Sequence, residues 1–435
     1  MCHHLTLCFC IFAEEVTRLH YKVALVIDVL GGAHFLYIPE GSSDYVEFEK
    51  DGVGVDGSSL PGISRVEDSD IIAIPDGESK YNMNNELGDL YDIYFTYLLD
   101  KVTRKPLDTD VRRITSLVDK KLKELGYILY IRPELEFYCI PEEYYNETVL
   151  APSKCYITDY MLSIDKDSYL LLRSEIVSAL NRLGIGVRYH HHENGPGQQE
   201  IEISPVKTAK KAADVITLSR IIISKISREY GFIATFMPKP FSNEAGSGLH
   251  MHFYLKNDAG ENVFYKDGEL TDTGKYFIAG VLKHAREISL ITNPTVNSYK
   301  RLGAHEAPSS ISWGFANRTA MIRIPASKKS IEVRNPDPMI NPYLAIAAIV
   351  FAGLDGIERE EDPPQSITGS TYSREDIMKL PRSFEEALNE LINSSWVRAT
   401  LGRVVENYIE LKRREYEEFS KSVTDWEIKK YLTMF

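Results

Sequence analysis

The sequence predicts an α+β protein with a small β-rich N-terminal domain and a larger domain in which strands mix with long helices. Its 435 residues exceed the usual size of a single hydrophobic core. Residues 21–75 hold short strand-like runs between Gly, Pro and Asp turns, whereas helical spacing begins near residue 110. We therefore place the domain boundary near residue 105, which gives domains of 1–105 and 106–435.

The composition argues against two classes of partner. Apolar residues make up 43% and charged residues 26% of the chain, which is typical of a globular protein. The formal net charge of −13 is unsuited to neutralising nucleic-acid phosphates, so we expect no nucleic-acid partner. No apolar run approaches the roughly 18 to 20 residues that cross a bilayer, so we expect no membrane association and a cytoplasmic location.

Individual elements follow from the spacing of apolar residues and from the turn residues between them. In the N-terminal domain we expect strands at 22–30, 34–38 and 45–48. Helices are expected at 110–125 with Gly126 as its end, 169–183, 205–230 with Ser204 and Pro205 as start signals, 342–354, and beyond Ser383.

The first ten residues hold three cysteines beside His3 and His4, a combination also found in metal sites. The cysteines are Cys2, Cys8 and Cys10. No second ligand pair follows at the spacing of a zinc finger. We therefore interpret residues 1–20 as a disordered, frayed or misassigned start.

Four predicted strands carry ionisable groups on one face, because side chains alternate between the two faces of a strand. The strands are residues 127–140, 198–203, 249–255 and 330–334. Their polar faces hold Arg132, Glu134 and Glu136; Gln198, Glu200 and Glu202; His250 and His252; and Glu332 and Arg334. The opposite faces are apolar except for Gln199, so one sheet could carry all these groups on a single side.

An isolated strand of this kind is more often the solvated face of an antiparallel sheet. Four such strands together favour a different interpretation. Adjacent carboxylates repel each other unless a cation lies between them, and few Lys residues are present to balance the charge. Because Mg²⁺ and Mn²⁺ prefer oxygen ligands and Mn²⁺ also accepts imidazole, the pattern predicts a two-metal site suited to phosphoryl transfer.

Eight motifs in this region and around it resemble type I glutamine synthetase, alpha subgroup, and they occur in that family's order. The resemblance covers roughly residues 50–435. The motifs are residues 53–59, 133–137, 190–200, 234–240, 246–252, 297–302, 316–325 and 331–338. The resemblance implies a β-grasp-like N-terminal domain and a C-terminal catalytic domain with a curved antiparallel sheet flanked by helices.

The resemblance also implies the ligands of two divalent cations, Mg²⁺ or Mn²⁺, with ATP as co-substrate. One cation would be held by Glu136, Glu193 and Glu200, and the second by Glu134, His250 and Glu332. The glutamate carboxylates and the transferred phosphoryl group would be held by Gly246, Arg301, Arg318 and Arg334. The ATP-binding residues would be His252, Tyr254, Arg318 and Arg323.

The implied reaction has two steps, in which ATP phosphorylates the γ-carboxylate of L-glutamate and ammonia then attacks the acyl phosphate. Asp56, Glu306 and Arg318 would be catalytic. Asp56 and Ser59 of a neighbouring subunit would form an ammonium pocket together with Tyr160, Glu193 and Glu306. Without the resemblance, Ser59 could equally shape a turn and Tyr160 could be a packed aromatic residue.

Two further expectations come from the resemblance alone. The implied assembly is a dodecamer of two hexameric rings with active sites between subunits. Arg65 matches a position that the alpha subgroup uses for feedback inhibition by glutamine.

Some positions depart from the family pattern and leave competing functions open. Ala245 replaces a common Asn next to the glutamate site, and His305 replaces a common Tyr before Glu306. These changes keep open a γ-glutamyl-amine ligase that uses a polyamine or an alkylamine. A non-catalytic structural or regulatory relative is a third reading, against which the complete set of six metal ligands speaks.

Overall fold

The computed structural model describes residues 18–85, 88–144, 155, 159–326 and 330–434. Most of the predicted irregular start, including Cys2, Cys8 and Cys10, lies outside the described residues. In the part of the chain that is described, no helix is both long enough and apolar enough to cross a bilayer. The elements form an α+β fold with a curled sheet and flanking helices, which confirms the predicted class.

A five-stranded sheet forms the N-terminal part of the chain. Its strands are β1 His20–Ile27, β2 Ala33–Pro39, β3 Val53–Asp56, β4 Asp70–Asn84 and β5 Leu90–Asp100. They lie in the order β2-β1-β5-β4-β3, with β1 parallel to β5 and the other neighbours antiparallel. Short 3-10 helices at Gly57–Ser59 and Val66–Asp68 connect β3 to β4. Strands are thus confirmed at two of the three predicted places.

The predicted strand at residues 45–48 is wrong, because this run lies within helix α1, Ser43–Asp51. Ser42 starts the helix, since its hydroxyl oxygen accepts a hydrogen bond from the backbone N–H of Tyr45 at 3.2 Å. Phe48 is then fully buried beneath the helix. A run of four residues is too short for its spacing to distinguish a strand from one helical turn.

A second, larger sheet holds the four strands that carry ionisable groups. Its strands are β6 Ile128–Pro141, β7 Val187–His192, β8 Gln198–Ile203, β9 Val206–Lys207, β10 Phe232–Thr235, β11 Leu249–Lys256, β14 Trp313–Phe315, β15 Ile322–Ile324 and β16 Ile331–Val333; β12 Tyr265–Lys266 and β13 Glu269–Leu270 form a separate hairpin. The main path is β14-β15-β16-β11-β6-β8-β7, antiparallel except between β14 and β15. All four predicted strands are therefore neighbours in one sheet.

Helices cover the apolar side of this sheet and continue to the C-terminus. They are α2 Val111–Glu124, α3 Leu170–Arg182, α4 Ala209–Glu229, α5 Asp272–Lys283, α6 Ser289–Thr292, α7 Ser298–Arg301, α8 Pro342–Arg359, α9 Phe384–Asn393, α10 Ser395–Leu401, α11 Val404–Lys421 and α12 Asp425–Tyr431, with a 3-10 turn at Glu142–Tyr144. The core continues from this sheet into the first one, since Val23 and Phe95 belong to the same buried cluster as Ile131 and Phe253.

Helix α4 begins later than the predicted start signals. Pro205 precedes strand β9, and Thr208, with a φ of 74°, turns the chain into the helix. The carboxylate of Asp119 accepts hydrogen bonds from the backbone N–H groups of Ala209 and Lys210, at 2.6 and 3.1 Å. The hydroxyl of Thr208 also accepts from the backbone N–H of Lys211 at 3.3 Å, so the local cap is Thr208, three residues after the predicted start.

A buried group of four charges joins the first sheet to the helices, and we call it the junction cluster: Asp76, Arg112, Lys210 and Asp214. Arg112 donates to Asp214 through Nε and Nη2, at 3.0 and 2.9 Å, and to Asp76 through Nη2 at 3.0 Å. Lys210 donates to Asp76 at 2.7 Å. Two carboxylates thus face two cationic side chains, so the charges of the cluster sum to zero.

Candidate active site

A cavity of about 890 Å³ opens on the polar side of the larger sheet. It is lined by seven acidic side chains: Glu134, Glu136, Glu193, Glu200, Glu202, Glu306 and Glu332. His250 and five arginines complete most of its charged wall: Arg188, Arg301, Arg318, Arg323 and Arg334. The concentration of carboxylates in one concave site favours cation binding or catalysis over a solvated sheet face.

Strand register brings these groups together. Across β6 and β11, Glu134 lies opposite His250, and across β6 and β8, Glu136 lies opposite Glu200. Glu332 enters from β16, which pairs with β11. Residues far apart in the sequence therefore meet because their strands are neighbours with side chains on the same face.

Two sets of side chains have the spacing of a metal site, and together with Glu136 we call them the cavity cluster. One set is Glu134, His250 and Glu332, and the other is His191, Glu193 and Glu200. Within each set, one ligand atom from each residue lies within 4.8 Å of the others. The first set contains the same three residues as one predicted ligand group.

The second set differs from its predicted counterpart by including His191, which sequence reasoning missed. Nε2 of His191 lies 3.0 Å from Oε1 of Glu193, and His191 is opposite Glu200 in the pairing of β7 with β8. Alternation along the chain places His191 and Glu193 on one face, a signal that the sequence contained. Glu136 borders both sets, with its Oε1 3.6 Å from Nδ1 of His250.

The raised pKa values of two carboxyl groups show that the cavity cluster lacks positive charge. Burial, followed by repulsion from Glu193, raises the pKa of Glu136 to about 8. Burial and repulsion from neighbouring carboxylates raise the pKa of Glu200 well above its usual value. A cation beside these groups would reverse both shifts, so their residues fit a divalent metal.

Other members of the cavity cluster are already balanced by protein groups. Burial would raise the pKa of Glu332, but His252 and Arg334 outweigh it and hold the pKa at about 2. Its two oxygens accept from Arg334 Nη1 at 2.6 Å and Arg323 Nη1 at 2.7 Å. Burial, followed by the charge of Arg334, lowers the pKa of His250 to about 4, which leaves a neutral imidazole suited to metal binding.

Glu202 was predicted on the polar face without a role, and the structure gives it arginine partners. Its carboxylate forms ion pairs with Arg132 and, at 2.6 Å, with Arg188. Neither arginine was assigned a function by the resemblance. Glu202 is thereby neutralised by the protein, and it belongs to neither metal-like set.

Comparison with known proteins agrees with this geometry. The family described as the glutamine synthetase catalytic domain matches residues 108–431 of the chain. The chain belongs to the glutamine synthetase family. A relative named glutamine synthetase from Thermococcus kodakarensis is 38% identical over 441 residues, covering 96% of both chains. Another so named, from Thermotoga maritima, is 35% identical and covers 89% of this chain and 91% of the relative.

Solved structures support the same fold. A GmaS structure in complex with ADP superposes with a TM-score of 0.84 and is 29% identical, covering 95% of this chain and 96% of that one. Glutamine synthetase from Plasmodium falciparum superposes with a TM-score of 0.83 at 22% identity, covering 96% and 97%. The second comparison concerns the fold alone.

Most substrate residues expected from the glutamine synthetase resemblance line the cavity. Arg301 is buried and donates from Nη1 to the carbonyl oxygen of Asn335 at 2.8 Å, which fixes its guanidinium. At the mouth, Arg318 and Glu306 are both more than half exposed and lie 3.4 Å apart. Tyr160 is 47% exposed beside them. Gly246 also lines the cavity, and a Cβ there would lie 2.7 Å from Cγ of Arg301.

Five predicted site residues do not line the cavity of their own chain. Asp56 at the end of β3 and Ser59 in the 3-10 helix that follows are exposed, and the Ser59 hydroxyl donates to Asp56 at 2.6 Å. Arg65 is exposed in the following loop. Tyr254 is half-buried and stacks on Tyr130 with ring centroids 5.1 Å apart. The fifth, His252, is fully buried.

Proposed function

We propose that the chain catalyses the ATP-dependent ligation of ammonia to the γ-carboxylate of L-glutamate, releasing glutamine, ADP and phosphate. The observation that carries this proposal is that two metal-like ligand sets share one arginine-rimmed cavity. Membership of the glutamine synthetase family supports the same activity. A catalytically inactive relative has no evident need to keep repelling carboxylates buried together.

Two divalent cations, Mg²⁺ or Mn²⁺, are the proposed cofactors. Glu136, Glu193 and Glu200 would hold one, and Glu134, His250 and Glu332 the other. His191 is an additional candidate for the first site because it belongs to the same set. When bound, such cations supply charge stabilisation for the transferred phosphoryl group.

The arginines are proposed to position glutamate and ATP for the first step. Arg301 and Arg334, with the narrow space at Gly246, would bind the glutamate carboxylates, and Arg323 would face ATP. Arg318 would offset charge on the phosphoryl group as the γ-carboxylate oxygen attacks phosphorus and ADP leaves.

The second step needs an ammonium site at the cavity mouth. Tyr160, Glu193 and Glu306 are proposed to bind ammonium, whose proton passes to a carboxylate before nitrogen attacks the acyl carbon and phosphate leaves. Asp56 and Ser59 would come from a neighbouring subunit, which is consistent with their exposure. We also propose a dodecamer of two hexameric rings, as the family resemblance implies. The proposed domain division lies near residue 105. Because ATP is the co-substrate, we propose a cytoplasmic location.

Phosphate release in the presence of glutamate, ATP and Mg²⁺ or Mn²⁺ tests the proposal. Ammonium is compared with methylamine and with putrescine, and the amide product is identified by mass spectrometry. We expect ammonium to give the highest kcat/KM. Faster turnover with an amine would show that the amine, and not ammonia, is the acceptor. If no acceptor gave glutamate-dependent phosphate release, the ligase assignment would be overturned.

Inhibition by the product is a second proposal, which rests on the position of Arg65. We expect glutamine to inhibit the wild-type enzyme and to inhibit an Arg65→Ala variant less. Exposed Arg104 offers a control, since Arg104→Ala removes the same charge from the loop that follows β5. Equal sensitivity of all three proteins would remove Arg65 from the mechanism.

A further inference from the structure

The two oxygens of Glu134 have different surroundings. Oε1 accepts a hydrogen bond from Nε2 of His252 at 2.8 Å and another from Nη1 of Arg132 at 3.0 Å. Oε2 is directed toward Nδ1 of His250, 3.5 Å away. The carboxylate therefore presents one oxygen to two protein donors and the other to the predicted metal site.

His252 is placed to contact Glu134. Its side chain is completely buried and does not line the cavity. The ring bridges two partners, since Nδ1 lies 3.1 Å from the hydroxyl oxygen of Ser330 while Nε2 meets Glu134. Both ring nitrogens are thus engaged by protein atoms, although the resemblance implied that this histidine binds ATP.

Arg132 approaches the same oxygen along strand β6, two residues before Glu134. Its side chain is 6% exposed, and its Nη1 also forms the ion pair with Glu202. Glu202 is in turn paired with Arg188 at the edge of the cavity. This chain of ion pairs restrains the guanidinium, so Arg132 is a fixed donor and not a mobile one.

Glu136, the other carboxylate beside His250, shows the same arrangement with different donors. Its Oε2 accepts from the backbone N–H of Gly248 at 2.8 Å and from the side-chain amide of Gln198 at 3.3 Å. Its Oε1 faces Nδ1 of His250 at 3.6 Å. On both carboxylates, protein donors hold the oxygen farther from the histidine nitrogen.

We propose that His252 and Arg132 are positioning residues that hold Oε1 of Glu134, so that this carboxylate coordinates the cation of the Glu134, His250 and Glu332 set through Oε2. Partners that orient a ligand fix its direction and cost metal affinity when they are removed. The inference rests on the proposed metal site, and it adds residues that act through a ligand without touching metal, glutamate or nucleotide.

Mn²⁺ titration of metal-stripped, nucleotide-free protein tests the proposal, with free Mn²⁺ followed by electron paramagnetic resonance. The variants are His252→Leu and Arg132→Met, which remove the donors, and His252→Gln, whose amide nitrogen can replace Nε2. We expect each of the first two to weaken one of two Mn²⁺ sites by roughly 10- to 100-fold, and His252→Gln to recover most of this loss. Thermal unfolding in EDTA identifies any variant that fails to fold, and the remaining variants then decide the result.

His284→Leu is the matched control for His252→Leu. His284 is also a buried histidine between carboxylates, with Nδ1 2.5 Å from Glu287 and Nε2 3.0 Å from Asp355, but it does not line the cavity. We expect its Mn²⁺ affinities to equal those of the wild type.

Three outcomes separate the possible failures. Wild-type Mn²⁺ affinity in both His252→Leu and Arg132→Met would overturn the positioning role. If His252→Leu instead weakened ADP binding alone, His252 would be a nucleotide contact and the inference would be wrong. If the wild-type protein itself bound no Mn²⁺ and released no ammonium-dependent phosphate, the proposed function would fail, independently of either variant.

Discussion

The junction cluster and the cavity cluster are both buried groups of charged side chains, but only the junction cluster has balanced charges. In the junction cluster, Asp76 and Asp214 share the positive charges of Arg112 and Lys210. In the cavity cluster, no arginine or lysine among the described residues lies within ion-pair distance of Glu136 or Glu200. A structural cluster balances itself within the chain, whereas this functional one requires charge from outside.

Breaking the junction cluster is expected to have the largest effect on stability. Asp214 is fully buried and accepts from Arg112, from Ser79 at 2.7 Å and from Tyr343 at 2.6 Å. Asp214→Asn leaves the buried arginine short of a counter-charge, which lowers the free energy of unfolding by about 3–5 kcal/mol. Guanidinium denaturation measures this.

An exposed aspartate provides the control for that prediction. Asp376 pairs with Arg374 at 2.6 Å on the surface, so Asp376→Asn is expected to lower the free energy of unfolding far less than Asp214→Asn does. A similar loss in both variants would contradict the structural role of the junction cluster.

Breaking the cavity cluster is expected to act on activity and not on stability. Glu200→Gln removes a proposed ligand, so phosphate release should fall by about 100-fold or more, beyond the roughly 10- to 100-fold typical of groups that only support a ligand. In EDTA the free energy of unfolding should not decrease, because the substitution also removes repulsion. Marked destabilisation in EDTA would make Glu200 a structural residue.

Binding of Mn²⁺ in the cavity cluster should stabilise the wild-type protein. At Mn²⁺ concentrations about 100 times the Kd, each bound cation raises the free energy of unfolding by about 2.7 kcal/mol. Asp214→Asn should keep this gain, since its cavity is intact, whereas Glu200→Gln should lose much of it. Thermal shift with and without Mn²⁺ measures the gain, and an equal gain in Glu200→Gln would argue against the proposed site.

The smallest expected effect is the pH dependence of the junction cluster. Burial raises the pKa of Asp76, but the hydrogen bond from Lys210 and the charge of Arg112 outweigh it and lower the pKa below its usual value. Such a carboxyl stabilises the fold above its unfolded pKa of about 3.9 and loses this contribution as pH falls through the folded value. The difference in unfolding free energy between wild type and Asp76→Asn should therefore shrink below about pH 4.

Glu78→Gln is the control for the pH experiment. Glu78 lies 3.5 Å from the same Lys210 but is 88% exposed, so its removal should leave the pH profile unchanged. A difference between wild type and Asp76→Asn that stayed constant down to the acid transition would contradict the assignment.

The contents of each strand face were determined by the sequence alone. Because side chains alternate along a strand, Glu134 shares a face with Glu136, and His250 with His252, whatever the tertiary structure. The remaining ligands were identified from the family motifs. The α+β class and most helices followed from local spacing in the same way. The start of α4 was predicted too early, because strand β9 follows Ser204 and Pro205 and the helix is capped by Thr208 and by Asp119 of another helix.

Only the tertiary structure decided which strands are neighbours and which partner each ion receives. His252 and Glu134 are 118 residues apart, and Arg112 and Asp214 are 102 apart, so no local pattern connects either pair. Spacing likewise does not distinguish a buried histidine from one that faces the cavity. The physical reason is that charge balance in the interior depends on three-dimensional neighbours, whereas periodicity reports only the side from which a residue leaves the backbone.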